Sequence, residues 1–144
     1  FTYRSLDSRS GIFHSPNFPH PYPRNLTCHY KFIGRSNEHI VIVFRHVDVE
    51  GVMPNCSSDT KSDVIELSNY NYPLADSKHS PLCGLKKESS RNFEKKIYKY
   101  ESDGNFFRVT FKANDAYEAS GFEASYKFYL KDTSSYTNLK ESNN

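Results

Sequence analysis

An all-β fold, two antiparallel sheets packed as a sandwich, is what this sequence predicts, and three observations predict it. Apolar side chains alternate with polar ones in segment after segment, the period of a strand with one buried face. Clusters of Gly, Pro, Asn, Asp and Ser separate those segments. The bulk of the apolar content is aromatic, eleven Phe and eleven Tyr against one Met and no Trp, and aromatic residues suit a pleated surface better than a helix. At 144 residues the chain is long enough for one domain with its own core.

Taken in order, residues 1–10 (FTYRSLDSRS) are polar, show no period, and read as a lead-in. "SGIFHSPNFPHPYPRNLTCHYKF" at 10–32 carries Pro16, Pro19, Pro21 and Pro23 and cannot be a helix. Each X-Pro step biases the residue before it to extended geometry, so the segment is a stiff ramp over the surface. It ends in a strand where Cys28, Tyr30 and Phe32 alternate with His29 and Lys31. "EHIVIVFRHVDVEG" reads as a strand with Ile40, Ile42 and Phe44 inward. The inward phase then slips by one to Val47 and Val49, which predicts a bulge between Phe44 and Val47. "SDVIELSN" is a short strand with Ile65 and Leu67 inward. "GNFFRVTFKA" turns Phe107, Val109 and Phe111 to the core, and "GFEASYKFYL" turns Phe122, Ala124, Tyr126 and Phe128. Between them, 85–101 is ambiguous: Leu85, Phe93 and Ile97 stand at helical spacing, whereas "KIYKY" reads as strand. Residues 131–144 are polar and uncapped, a linker or tail. No repeat is present.

Net charge is +2, too small to point to nucleic acid, and no apolar run approaches the roughly 20 residues of a membrane span. Asn25-Leu-Thr27 and Asn55-Cys-Ser57 are acceptor sequons, both beside cysteines, so a secreted domain with glycans on Asn25 and Asn55 is expected. Catalysis finds no support. His14, His20, His29, His39, His46 and His79 fall in no metalloprotease spacing, and no serine elbow or Cys-x-x-Cys pair occurs, so no enzyme is expected. Lys86, Lys87, Arg91, Lys95, Lys96 and Lys99 alternate with Glu88, Glu94 and Glu101, the pattern of a solvated face.

The cysteines discriminate between sandwiches. Cys28 and Cys83 are 55 positions apart, a separation that an immunoglobulin inter-sheet bridge accepts, but the core Trp is missing and Pro81 stands where the corner tyrosine belongs. Pairing Cys56 with Cys83 instead closes a loop around the "SDVIELSN" strand and leaves Cys28 without a partner in this chain.

Gly-Ile-Phe-x-Ser-Pro-Asn-Phe-Pro-x-x-Tyr-Pro-x-Asn-x-x-Cys, Gly11 to Cys28, resembles the opening of a CUB domain. "IVFRHVDVEG", "Asp63-Val-Ile-Glu-Leu" after Cys56, "Leu-Cys83-Gly84", and the pair "VTF" and "GFEASY" are similar to that family's later motifs, in family order over about residues 10 to 128. The resemblance implies a jelly-roll-like sandwich over 11–130 that serves as a non-catalytic extracellular recognition module, with Cys56 bonded to Cys83 and the family's partner for Cys28 either lying upstream of Phe1 or lost from this domain. It also implies a calcium site. Glu50 matches the family's first acid, Asp63 its second, with Asp59 as rival because of extra residues after Cys56. Tyr22 matches the tyrosine whose hydroxyl braces the glutamate, and Asn114 stands where the family has Asp, with Asp115 one place on. Turn capping is the competing reading of these acids. "PYPRNLTCHYKF" and "VDVEG" further resemble CUB domains of glutamate-receptor auxiliary subunits of the suppressor-of-lurcher and neuropilin-and-tolloid-like type. The alternative is the non-catalytic arm of a secreted metalloprotease or complement-type protease.

Overall fold

Period-two segments can bury one face only by stacking sheet on sheet, and the chain does so with eight strands. The structure, a computed structural model, describes residues 1–51, 56, 62–71, 76, 78–84, 97–114 and 119–131. In chain order the strands are β1 (Thr2–Arg4), β2 (Ser10–His14), β3 (Leu26–Ile33), β4 (Glu38–Asp48), β5 (Val64–Ser68), β6 (Tyr98–Glu101), β7 (Phe106–Ala113) and β8 (Gly121–Leu130). One sheet has the order β1-β3-β7-β5 and the other β2-β8-β4-β6. No helix occurs among the described residues.

Residues 1–10, where no period is legible, supply β1 and the first residue of β2. Three residues are too few to display a period, and β1 pairs parallel with β3, Thr2 opposite Lys31, an exception to the antiparallel rule of the sandwich. Tyr3 is the inward residue of this strand and stacks on Phe32 with centroids 5.0 Å apart. Along β4 the register against β8 shifts between Phe44 and His46, the bulge that the phase slip predicts. It keeps both Phe44 and Val47 in the core. The strand reading of "KIYKY" holds from Tyr98 onward. Tyr100 lies opposite Ile42 and packs edge-on against Phe44, whereas Ile97 is exposed. Residues 85–96, with the helical alternative, lie outside the described residues.

The core is aromatic. Phe13, Tyr30, Phe32, Phe44, Phe107, Phe111 and Phe122 are all essentially buried, and Phe13 meets Tyr30, Phe32 and Phe122 at 5.0–5.9 Å in tilted or edge-on geometry. Full burial of each such side chain is worth about 1.5–3 kcal/mol, and the tilted pairs add to it. Charged residues are buried as well, Glu38, Asp63 and Arg108 among them. Glu38, fully buried at the start of β4, accepts hydrogen bonds from Ser5 Oγ (2.7 Å) and Arg35 N (2.7 Å) and pairs with Arg9 at 2.9 Å.

Candidate functional site

β4, β5 and β7 each have an end at one pole of the sandwich, and there they deliver Glu50, Asp63 and Asn114. Alternation places none of these three in a hydrophobic slot, because each follows or precedes its strand. The ramp closes the pole from the side. Tyr22 is fully buried, edge-on against Phe111 at 4.9 Å, and its backbone N–H donates to Ala119 O. From that seat its hydroxyl donates to Asp63 Oδ2 (2.5 Å) and accepts from Glu50 N (3.2 Å). Burial, and then the hydrogen bond to Asp63, hold the phenol well above its ordinary range, so it stays a donor.

Asp63 is fully buried, and its second oxygen accepts the backbone N–H of Asn114 at 2.8 Å. Asn114 O in turn accepts the N–H of Asn25, which ties the end of the ramp to the same pole. Glu50 Oε2 is buried and has no hydrogen-bond donor among the described residues. Burial first, then the neighbouring Asp63 carboxylate, push Glu50 above the usual carboxylate range, while a hydrogen bond from the Asn114 side chain pulls the other way. Among the described residues no cation pairs with either of these two carboxylates.

Ser62 and Gly51 complete the arrangement. Ser62 Oγ lies 2.9 Å from Glu50 O and 2.7 Å from Asp63 O, bracing both acid-bearing segments. Gly51 has φ +134°, and a Cβ there would fall 2.0 Å from Ser62 Oγ and 2.8 Å from Cys83 Sγ. Only glycine lets the chain leave β4 so close to the disulfide that joins Cys56 to Cys83. Sequence reasoning did not single out either residue. The glycine closing "VDVEG" is a readable turn signal, but nothing marks Ser62 among the serines of its loop.

Glu50, Asp63, Asn114 and Tyr22 thus share one pole, while Asp59 and Asp115 lie outside the described residues. Among the described residues no third carboxylate, histidine or cysteine joins Glu50 and Asp63 in a ligand cluster. The donor set nonetheless fits a hard divalent cation. It offers anionic oxygens, one of them orphaned, and an amide, all chemistry that calcium accepts and softer ions do not require. Asn25 is exposed and carries φ +52°, and Asn55 lies outside the described residues. Cys28 is half-buried on β3 and carries a free thiol.

A family model described as "CUB domain" matches residues 3–126. A cubilin homolog from Drosophila melanogaster is 28% identical over 81% of this chain, and the zinc metalloproteinase nas-39 from Caenorhabditis elegans is 27% identical over 84%. The chain spans 3% of the first and 11% of the second. Among solved structures, a MASP-1 CUB2 domain bound to Ca2+ superposes with a TM-score of 0.63 at 20% identity, covering 88% of this chain and 96% of that one.

Proposed function

Because the chain belongs to the CUB domain family, we propose that it is the recognition module of a larger extracellular protein, ordered at one pole by calcium. The family is one of protein-interaction modules, and a non-catalytic binding role follows from it. The observation that carries the calcium reading is Glu50 Oε2, buried without a donor beside a second buried carboxylate. The relation to a CUB domain crystallised with Ca2+ adds support at the level of the fold. Glu50, Asp63 and the Asn114 side chain would hold the ion, Asp115 or Asp59 would add to the shell, and Tyr22 would keep Asp63 oriented. Calcium would supply positive charge to a carboxylate pair that no described cation meets, and the protein does the rest. It holds the β4, β5 and β7 ends together, so that rim side chains present a fixed pattern to a partner's Lys or Arg.

The experiment is a melting curve. Calcium at about 100 times its dissociation constant should stabilise the domain by about 2.7 kcal/mol, and magnesium, which insists on a smaller octahedral shell, should do far less. Glu50→Ala should abolish the shift and leave the unliganded fold intact. A wild-type curve indifferent to millimolar calcium and to chelator overturns the reading. For the parent molecule two classes stand as candidates, a receptor auxiliary subunit and a protease with a CUB arm; the match to a zinc metalloproteinase supports the second, and the match to a cubilin homolog supports neither. The domains that flank this one in the full-length chain decide between them.

A further inference from the structure

β1 and β2 are edge strands of their two sheets, and they border one groove on the same flank of the sandwich. The hydrogen bonds at the two ends of β2 fix which way its backbone points. Ser15 N donates to Phe122 O, and Arg9 O accepts from Phe128 N, so the odd-numbered residues from Arg9 to Ser15 turn their polar groups to β8. The even-numbered ones, Ser10, Ile12 and His14, turn theirs to the open side. Two of the three carbonyls there are already taken. Ser8 Oγ donates to Ser10 O at 2.7 Å, and the Tyr30 hydroxyl donates to His14 O at 2.8 Å. Ile12 keeps both its N–H and its C=O without a partner among the described residues. Its side chain, on the outer face, is 65% exposed. Nothing blunts this edge in the usual ways, since Ser-Gly-Ile-Phe-His contains no Lys, no Pro and no bulge. The edge of β5 is different, because Leu82 exchanges hydrogen bonds with Ile65 there.

The backbone decides what fits. A row of N–H and C=O groups at strand spacing is matched by another extended chain and by little else. The polarity of the row then separates a partner from a second copy. Three N–H groups, those of Ser10, Ile12 and His14, stand beside one unserved C=O, so the edge carries surplus positive partial charge. Two copies of β2 paired about Ile12 would set each surplus donor against a carbonyl that already holds a hydroxyl. A segment that supplies acceptors and withholds donors at the outer rungs complements the row, and proline does both. Residues between the rungs turn inward as Gly11 and Phe13 do, toward a groove of about 280 Å³ between β1 and β2. The buried Phe13 and Tyr30 line it with Phe1, Tyr3 and Pro16, so apolar side chains suit it. We infer that the free edge of β2 captures an extended apolar segment of a partner protein, adding it as a further strand antiparallel to β2. Prolines of that segment lie opposite Ser10 and His14, and a β-branched residue lies beside Ile12.

The probe is a capped peptide, Ser-Pro-Val-Ile-Val-Pro-Ser. It should bind the chain in titration calorimetry, and amide exchange at Ile12 should slow in the complex. Gly11 and Phe13, already bonded to β8, should exchange as before. N-methylation of the peptide's central isoleucine removes the donor of the middle rung and should weaken binding at least about tenfold. Replacing both prolines by alanine restores the outer donors and should give no tighter binding. In the chain, Ile12→Thr should weaken binding about fivefold, the upper end for a cross-strand apolar pair, with the melting temperature unchanged. Leu130→Thr, at a similarly exposed apolar residue of β8, should leave binding as it was. Any of four outcomes overturns the inference: no heat and no slowing at Ile12 with millimolar peptide, equal affinity of the N-methylated peptide, tighter binding of the alanine peptide, or a wild type that sediments as a dimer with Ile12 already protected. None of these readouts depends on calcium, so failure here and failure at the Glu50 pole are separable.

Discussion

Glu50 and Glu38 are both partly or wholly withdrawn from water, yet their surroundings drive them in opposite directions. Glu38 has two hydrogen bonds and a cation, and these hold its carboxyl below the usual range despite its burial. Glu50 has an unserved oxygen and a carboxylate neighbour, and its carboxyl is pushed up. For Glu50 the folded state holds its proton more tightly than the unfolded chain does. Stability is therefore gained at low pH and lost as the pH rises through the raised value. In chelator, Glu50→Gln should melt with the wild type below the ordinary glutamate range and above it at neutral pH. Saturating calcium should invert that order, since Gln offers no charge to the ion. Wild-type and variant curves that run parallel across pH, with and without calcium, would mean that Glu50 carries no buried charge.

Two contacts between elements carry predictions of their own. Glu38 fastens the turn between β1 and β2, through Ser5 and Arg9, to the start of β4. Glu38→Gln keeps the volume but turns an amide toward Arg9, and should cost about 1.5–3 kcal/mol at neutral pH, the range for hydrogen bonds to a charged group. Here the folded pKa is depressed, so the stabilisation is complete above the ordinary glutamate range and disappears as pH falls through the lowered value. The gap between wild type and variant in chemical denaturation should close on acidification; a gap that persists sinks the assignment. The disulfide from Cys56 to Cys83 ties the loop after β4 to the segment that bridges Ile65 through Leu82. Non-reduced peptide mapping should return that pair with Cys28 alkylated, and reduction should cost on the order of 2–5 kcal/mol. A Cys28–Cys83 peptide would contradict the arrangement. In a longer chain that continues β1 upstream, the parallel register brings the residue two places before Phe1 opposite Cys28, where a cysteine could bridge it.

Over the whole molecule the candidate site lies at one pole of the sandwich. The acids Glu50 and Asp63 gather at one end of the sandwich, and the ramp leads to that pole. Asn25 stands at that junction, exposed, with its N–H bound to Asn114 O and its side chain outside the core. A glycan there should extend from the pole without displacing any buried group. Expression in a secretory host followed by glycosidase should lower the intact mass by at least the Asn25 glycan, with Asn55 slower to fill because Cys56 lies within its sequon. An unchanged mass would argue against a secreted surface at this end.

Alternation alone dictated most of the sandwich. The inward residues of β3, β4, β5, β7 and β8 are readable because burial on one face imposes period two on the chain, and the bulge in β4 is readable because it breaks that period. β1 was not, because three residues hold no period and a parallel partner 29 positions away leaves no local trace. At the pole, the motif order around Glu50, Asp63 and Tyr22 identified the residues through family resemblance. It did not reveal that Tyr22 hydrogen-bonds both acid-bearing segments, that Ser62 braces them, or that Glu50 is left with an orphaned oxygen. Neighbours across the strands were equally hidden. Lys31 and Arg108 are 77 positions apart, and each is an ordinary outward residue of its own strand. Only the register between β3 and β7 sets them side by side, because the pairing that satisfies the backbone and buries the Phe and Val neighbours also fixes which outward residues face each other.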